Sequence, residues 1–286
     1  MLDTLRNAVR VSDLRARVLF TLGMLVLFRL GSHIPVPGVD ARAFADLLRT
    51  GTGNVFGLLD LFAGGALSNF SIFALGVNPY ITSSIILQLL TVVIPSLEEL
   101  AKEGVEGRKV LAQYTRWGTV VLAVIQAVGT VALAVSNGVA EANFLSVSVI
   151  VVSLTAGSML LMWIGELMTE NGIGNGISVL IFAGIVARFP AYAVNVTRAL
   201  GPGGVSYFSV LLFLVLSLAV VVAVVLIQEG VRRIPVQYAR RVVGRRMYGG
   251  QSTHIPLRVN SAGVMPVIFA SSILTFPATI GTWFPA

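Results

Sequence analysis

The stretch Phe56 to Pro95, FGLLDLFAGGALSNFSIFALGVNPYITSSIILQLLTVVIP, narrows the folds open to this chain more than any other. Its first part, Phe56 to Leu67, is apolar but too short to cross a bilayer; it carries one acid, Asp60, and breaks at Gly64-Gly65. Its second part, from about Ile72 to Ile94, is long enough to cross, since ~20 residues span ~30 Å. Pro79 sits inside that span, after Asn78. Non-helical backbone survives at membrane depth only where protein or a water-filled cavity covers it. The pairing of a half-crossing with a proline-interrupted crossing therefore predicts a membrane protein with a cavity and a short segment that dips into it.

Composition agrees. Of the 286 residues, 56% are hydrophobic and 12% charged, whereas soluble domains carry roughly 25% charged residues. Mean hydropathy is +0.87. The absence of cysteine excludes disulfides and thiolate metal sites. Met1 to Arg17 precedes a long apolar run and reads as a cytoplasmic amphipathic segment rather than a removable signal.

The apolar runs predict spans at Val18–Ser32, Ile72–Ile94, Trp117–Val135, Phe144–Ile164, Gly176–Phe189, Tyr207–Ile227 and Ala262–Ile280. Small residues within them (Gly118, Ala123, Ala127, Gly129, Ala156, Gly157) suit close helix contact. Lys and Arg set the orientation. With the N-terminus inside, the inner side holds Arg6, Arg10, Arg15 and Arg17, then Lys102, Arg108, Lys109 and Arg116. It also holds Arg232, Arg233, Arg240, Arg241, Arg245, Arg246 and Arg258. The outer side holds only Arg42, Arg49, Arg188 and Arg198, and Arg29 lies in the first span.

Two inner loops stand out. Gln228–Ser261 has spaced arginine pairs, with β-compatible runs at Ile234–Val243 and Met247–Val259 and Gly244-Arg245-Arg246 as a possible hairpin tip. These arginines either enforce orientation against anionic lipid or dock a large anionic partner such as RNA, because arginine pairs suit phosphate. Ser96–Arg116 mixes acids and bases around Gly104 and Gly107, and reads as a solvated helical hairpin or a second docking loop. Within the spans, Thr82, Ser83, Ser84 and Gln88, with Asn260 at the start of the seventh, either bond across helices or form a polar seam where two helices part.

Ionisable residues within the membrane are few: Arg29, and Asp60 in the half-span. Ion-coupled transporters need buried acids, histidines or cation sites. No protease constellation, nucleotide loop or dinucleotide fingerprint is present, and any work is expected to come from a partner. Val77 and Ile81 are four apart and share a helix face, as do Ile177 and Ile181. On composition alone these are lipid-facing or core residues.

Taken together, several motifs resemble the SecY/Sec61 family, the protein-conducting channel of the general secretion pathway, in its bacterial form. They are FRLGSHIPVPG from Phe28, SIFALG from Ser71 with Pro79-Tyr80-Ile81, Lys102-Glu103-Gly104 with Gly107-Arg108, GIGNG from Gly172, and Gly244-Arg245-Arg246 with QSTH from Gln251. The resemblance covers essentially the whole chain. It implies an all-α polytopic bundle, an hourglass of ten helices in two pseudo-symmetric halves around a pore. The departure is length. Residues 1–195 supply helices one to five of a complete first half, and 196–286 a partial second half with helices six and seven. The last three helices are lacking, so either the chain is truncated or the remainder lies elsewhere, and seven spans alone are expected not to seal.

Carried over residue by residue, the resemblance places Val77, Ile81, Ile177, Ile181 and Ile268 in the hydrophobic pore ring. It makes 56–69 the plug, with Phe56, Asp60, Phe62, Gly64, Gly65 and Asn69; the glycine break and an unpaired Asp60 suit loose packing in a wet cavity. Thr82, Gln88 and Asn260 fall at the lateral gate between the second and seventh spans. Lys102, Arg108, Lys109, Arg240, Arg241, Arg245 and Arg246 fall in the loops that meet the ribosome or the SecA ATPase. The implied setting is the bacterial plasma membrane, with SecE and SecG as partner subunits, signal sequences and nascent chains as cargo, anionic phospholipid nearby, and neither cofactor nor catalysis. The rivals are an ion-coupled secondary transporter and a membrane scaffold that docks ribosomes.

Overall fold

The computed structural model describes residues 11–50, 60, 63–200, 206–236, 241–243, 246–248, 253–260 and 270. The chain divides into two compact units, Met1–Tyr192 with Phe269–Ala286, and Ala193–Ile268.

In the first unit, α1 (Ser12–Gly31) carries the first predicted span and α2 (Ala41–Thr50) is a short amphipathic helix. Then come α3 (Asn78–Val93), α4 (Pro95–Lys102), α5 (Val105–Ser136), α6 (Phe144–Asn171) and α7 (Gly176–Ala187). Helix α8 (Phe189–Ala199) follows α7 after Arg188 alone, and the boundary between the units falls within it, after Tyr192. Among the described residues, four stretches are long and apolar enough to cross a membrane: Val105–Ser136, Phe144–Asn171, Gly176–Ala199 and, in the second unit, α9 (Tyr207–Glu229). Helices α3 and α4 meet at 102° and become a fifth if counted as one broken span. The predicted seventh span, Ala262–Ile280, lies outside the described residues except for Ala270.

The second predicted span needs correction. Helix α3 starts at Asn78, not at Ile72, and the residues from Ser71 to Val77 form a bridge and turns. Pro79 sits in the first turn of the helix, so it interrupts nothing. Proline has no N–H to lose there and its fixed φ suits a helix start. Gly76, with φ 59°, turns the chain just before. The result is a 16-residue helix, shorter than the ~20 residues of a full crossing, preceded by irregular backbone at depth.

That irregular backbone is paid for by hydrogen bonds. The Val36 N–H donates to the Phe70 carbonyl at 2.9 Å and the Ile72 N–H to Ile34 at 3.1 Å. Ser158 of α6 donates its hydroxyl to the Gly76 carbonyl at 3.0 Å. Each satisfied group avoids the several kcal/mol an orphan costs in hydrocarbon.

Small residues set the helix contacts. A Cβ on Gly157 would overlap the Ile72 carbonyl, and one on Gly118 would overlap the Ser83 hydroxyl. Ala123, Ala127 and Gly129 line the buried face of α5. Ala156 does not join them, because one position before Gly157 the helix has turned it outward to an exposed face. Ser83 of α3 donates to the Thr115 carbonyl of α5 at 2.8 Å. The predicted helical hairpin is present: α4 and α5 join through Glu103 and Gly104. Gly107 is required where they cross, since a Cβ there would overlap the Leu100 carbonyl.

In the second unit, β1 (Val231–Val236) pairs antiparallel with β4 (Thr253–Arg258), and β2 (Arg241–Val243) with β3 (Arg246–Tyr248). The basic loop is thus hairpin-shaped, and the predicted all-α class gains this β element. The inner ladder closes at Val243↔Arg246, which puts Arg246 on a strand rather than in the tip. Arg240 and Arg245 lie outside the described residues.

Candidate functional site

The site begins with the segment that precedes α3. Asp60 is helical, and the Gly65 N–H donates to the Asp60 carbonyl at 3.0 Å while Gly64 is left-handed at φ 65°. This is the pattern by which glycine ends a helix. Turns carry the chain onward through Ala66, Leu67 and Phe70, all buried. Phe56 and Phe62 lie outside the described residues.

The expectation of an unpaired Asp60 in a loosely packed segment is wrong. Asp60 is buried, and its Oδ2 pairs with the Arg188 guanidinium. Its Oδ1 accepts from the Ser68 N–H at 2.9 Å. Arg188 also donates to the Ser68 hydroxyl at 2.9 Å. From the other side, Arg29 of α1 donates to the Gly64 carbonyl at 3.3 Å. Asn69 is exposed, with its amide 3.5 Å from the Ser32 carbonyl. A carboxylate survives at this depth only when paired and hydrogen-bonded, and here it is both.

Arg188 was expected at the outer end of the fifth span, Gly176–Phe189. It lies instead midway along Gly176–Ala199, at the junction of α7 and α8. Its charge counts against membrane residence in sequence terms, but a partner 128 residues away absorbs it. Ser68 was missed for the same reason. A second pair was also missed: Arg116, eleven residues into α5, donates to Glu166 of α6 at 2.9 Å.

The glycine turn is flanked by Ala63 and Ala66, which belong to an aliphatic cluster. Val77, at 7% exposure, packs with Ala63, Ala66, Phe73, Leu161, Ile164 and Leu180, and half-buried Ile81, Ile177 and Ile181 pack against the same cluster. Four of the five predicted ring residues thus converge rather than scatter to the periphery. Val77 accepts the Ile81 N–H at 3.0 Å, so the two stay one turn apart at the start of α3. Ile268 lies outside the described residues.

The remaining predicted residues are placed as follows. Thr82 is half-buried on α3, and Gln88 is exposed one and a half turns on. Asn260 donates to Gln228 at 3.2 Å within the second unit. Lys102, Arg108 and Lys109 are exposed on the α4–α5 hairpin. Lys102 pairs with Glu98 at 2.5 Å and Lys109 with Glu106 at 2.7 Å. Arg241 and Arg246 sit on β2 and β3.

The hairpin register explains how so many cations fit together. Arg232 faces Leu257, Arg233 faces Pro256, Arg258 faces Val231, Arg241 faces Tyr248 and Arg246 faces Val243. No described pair sets two arginines directly opposite, an arrangement that like charges would destabilise.

Apolar helices long enough to cross a membrane, with a buried, irregular segment packed into an aliphatic cluster in the first unit and a basic hairpin in the second, define a polytopic helical membrane protein. The SecY family model matches residues 71–286. The chain belongs to the SecY family. It is 51% identical over 279 residues to the protein translocase subunit SecY of Buchnera aphidicola subsp. Acyrthosiphon kondoi, covering 96% of this chain and 78% of that one. It is 50% identical over 279 residues to the protein translocase subunit SecY of Escherichia coli (strain K12), covering 96% of this chain and 63% of that one. The chain therefore spans only part of the curated relatives it matches.

Two solved structures share the fold. One concerns the plug domain of SecY, which stabilises the closed state of that translocation channel and maintains a membrane seal (TM-score 0.61). The other is Sec61 in the canine ribosome–channel complex (TM-score 0.58). Each is 20% identical, and each match covers 94% of this chain and 58% of the other.

Proposed function

We propose that this chain forms the protein-conducting part of a Sec translocon, passing unfolded secretory polypeptides across the bacterial plasma membrane and membrane segments sideways into it. The observation that carries the reading is the convergence of Val77, Ile81, Ile177 and Ile181 on one cluster that also holds Ala63 and Ala66 of the preceding segment. Branched aliphatic side chains at a constriction exclude water and ions by dewetting. They make no directional bonds, so they widen around any passing sequence. Ile268 would complete this ring. Segment 56–69, with Phe56, Asp60, Phe62, Gly64, Gly65 and Asn69, acts as the plug. Residues 1–195 act as one half of the channel and 196–286 as part of the other.

The N-terminus is cytoplasmic in this reading, which puts the basic hairpin and the α4–α5 hairpin on the cytoplasmic side. Arg240, Arg241, Arg245 and Arg246, with Lys102, Arg108 and Lys109, dock the ribosome through rRNA and proteins near its exit tunnel, or alternately the SecA ATPase. SecE and SecG are the partner subunits, and anionic phospholipid surrounds the complex. Thr82, Gln88 and Asn260 form the polar seam of the lateral gate, where a signal sequence intercalates before the plug moves.

The test replaces Ile81 and Ile181 with aspartate in the full chain, assembled with its partner subunits in liposomes. The proposal expects ion leak at rest or relaxed signal-sequence stringency. A scaffold that only docks ribosomes predicts unchanged permeability and unchanged ribosome binding.

A further inference from the structure

The plug reading leaves open what holds the segment shut and what sets the effort needed to open it. Apolar contact alone is a weak answer, because Ala63 and Ala66 are small and the aliphatic cluster they join has no directional preference. The polar contacts are more specific. Asp60 reaches the first unit's α7–α8 junction through Arg188, and Arg188 also holds Ser68. One guanidinium therefore grips both arms of the Gly64-Gly65 turn. The fit is close on the same side: a Cβ on Gly65 would lie 2.9 Å from Arg188 Nη2. The pair is shielded, with the Asp60 side chain 7% exposed and that of Arg188 25%.

We infer that Arg188 is the latch of the plug, a positioning residue whose pairing with Asp60 and Ser68 sets the threshold for opening. This rests on the channel reading above. Moving the segment away breaks the Asp60–Arg188 pair and the hydrogen bonds that Ser68 makes to both, contacts that exist only while the segment is seated. The closed state is thus the one in which both ions have geometrically matched partners, and a signal sequence must supply enough binding energy to separate them. Removing one partner from a buried pair typically has a large effect, because the other is left uncompensated. Glutamine at Arg188 removes the charge but keeps an amide donor for Asp60 and Ser68. Arg188→Gln is therefore the gentler variant, and it is expected to fold while loosening the latch.

These 286 residues contain no cysteine, so a single one reports cleanly. The test places Ala66→Cys, fully buried in the segment and outside the latch, in a cysteine-free full chain assembled with its partner subunits in liposomes. Labelling by a polar maleimide and resting chloride leak are then read with and without Arg188→Gln or Asp60→Asn. The latch predicts that both quantities rise about tenfold or more with either substitution, and that a preprotein with a defective signal sequence crosses more readily. If neither rises, the latch is wrong and the channel reading stands. If labelling rises without any leak, the segment is tethered by Arg188 but blocks no pathway, which contradicts the channel reading beneath.

Discussion

Gly64 lies against Gly184 so closely that a Cβ on Gly64 would sit 2.8 Å from the Gly184 Cα. Gly64 is also left-handed, at φ 65°. Two independent reasons therefore demand glycine: a side chain would collide with the backbone of α7, and an L-residue in this conformation costs about 1–2 kcal/mol. Replacing Gly64 by valine is expected to lift the segment from its seat. Resting ion flux in liposomes should rise while ribosome binding is unaltered. Flux equal to that of the parent protein would show that the segment does not seal here.

Helices α3 and α5 depend on Gly118 far more than on the hydrogen bond beside it. Ser83→Ala removes one donor to a carbonyl that Thr119 Oγ1 also reaches at 2.7 Å. Its cost should be about 1 kcal/mol or less. Gly118→Val forces a side chain into the Ser83 hydroxyl and must part the helices, costing typically 1–3 kcal/mol or more. Thermal unfolding of the purified complex should rank the two in that order.

Pro79 at the start of α3 should be replaceable. Alanine there adds one N–H at a position where no intrahelical partner is required, so Pro79→Ala should change stability by less than about 1 kcal/mol. The same proline moved to Ile85, in the buried interior of α3, should cost ~3 kcal/mol. Denaturant or thermal melts of the two variants test this start point. Equal losses would place the proline inside the helix after all.

The hairpin makes two separable predictions. Charge reversal at Arg245 and Arg246 should weaken binding to purified ribosomes and flatten its dependence on salt, because fewer phosphates are neutralised. Leu257→Arg, by contrast, sets a second cation directly opposite Arg232, which destabilises the strand pair by roughly 0.2–1 kcal/mol. It should therefore loosen the hairpin although it adds positive charge. Hydrogen exchange of β1 amides distinguishes the two effects.

Much of this was legible from residue pattern. The apolar runs located α5, α6, α7 and α9, and the small residues of α5 did mark its packed face. The β-compatible runs between arginine pairs located the hairpin. What was not legible shares one cause, namely partners distant along the chain. Arg188 looked like a cation at the outer end of a span because nothing near it in sequence neutralises it; Asp60 does so from 128 residues away. Asp60 looked unpaired for the reciprocal reason. The start of α3 was missed because Ile72 to Val77 is as apolar as a helix would be, while its backbone is held by Ile34 and Ser158. Composition records hydrophobicity, but not which carbonyls a neighbouring element supplies.

The central claim is that Val77, Ile81, Ile177 and Ile181 line a throat that polypeptide passes through. The most direct measurement places a photoreactive residue at Ile81 or Ile181 in the full, assembled complex and presents an arrested secretory chain on a ribosome. The account predicts adducts between these positions and the arrested chain, lost when the signal sequence is removed. Adducts to lipid, or to ribosomal components with none to the nascent chain, would contradict it.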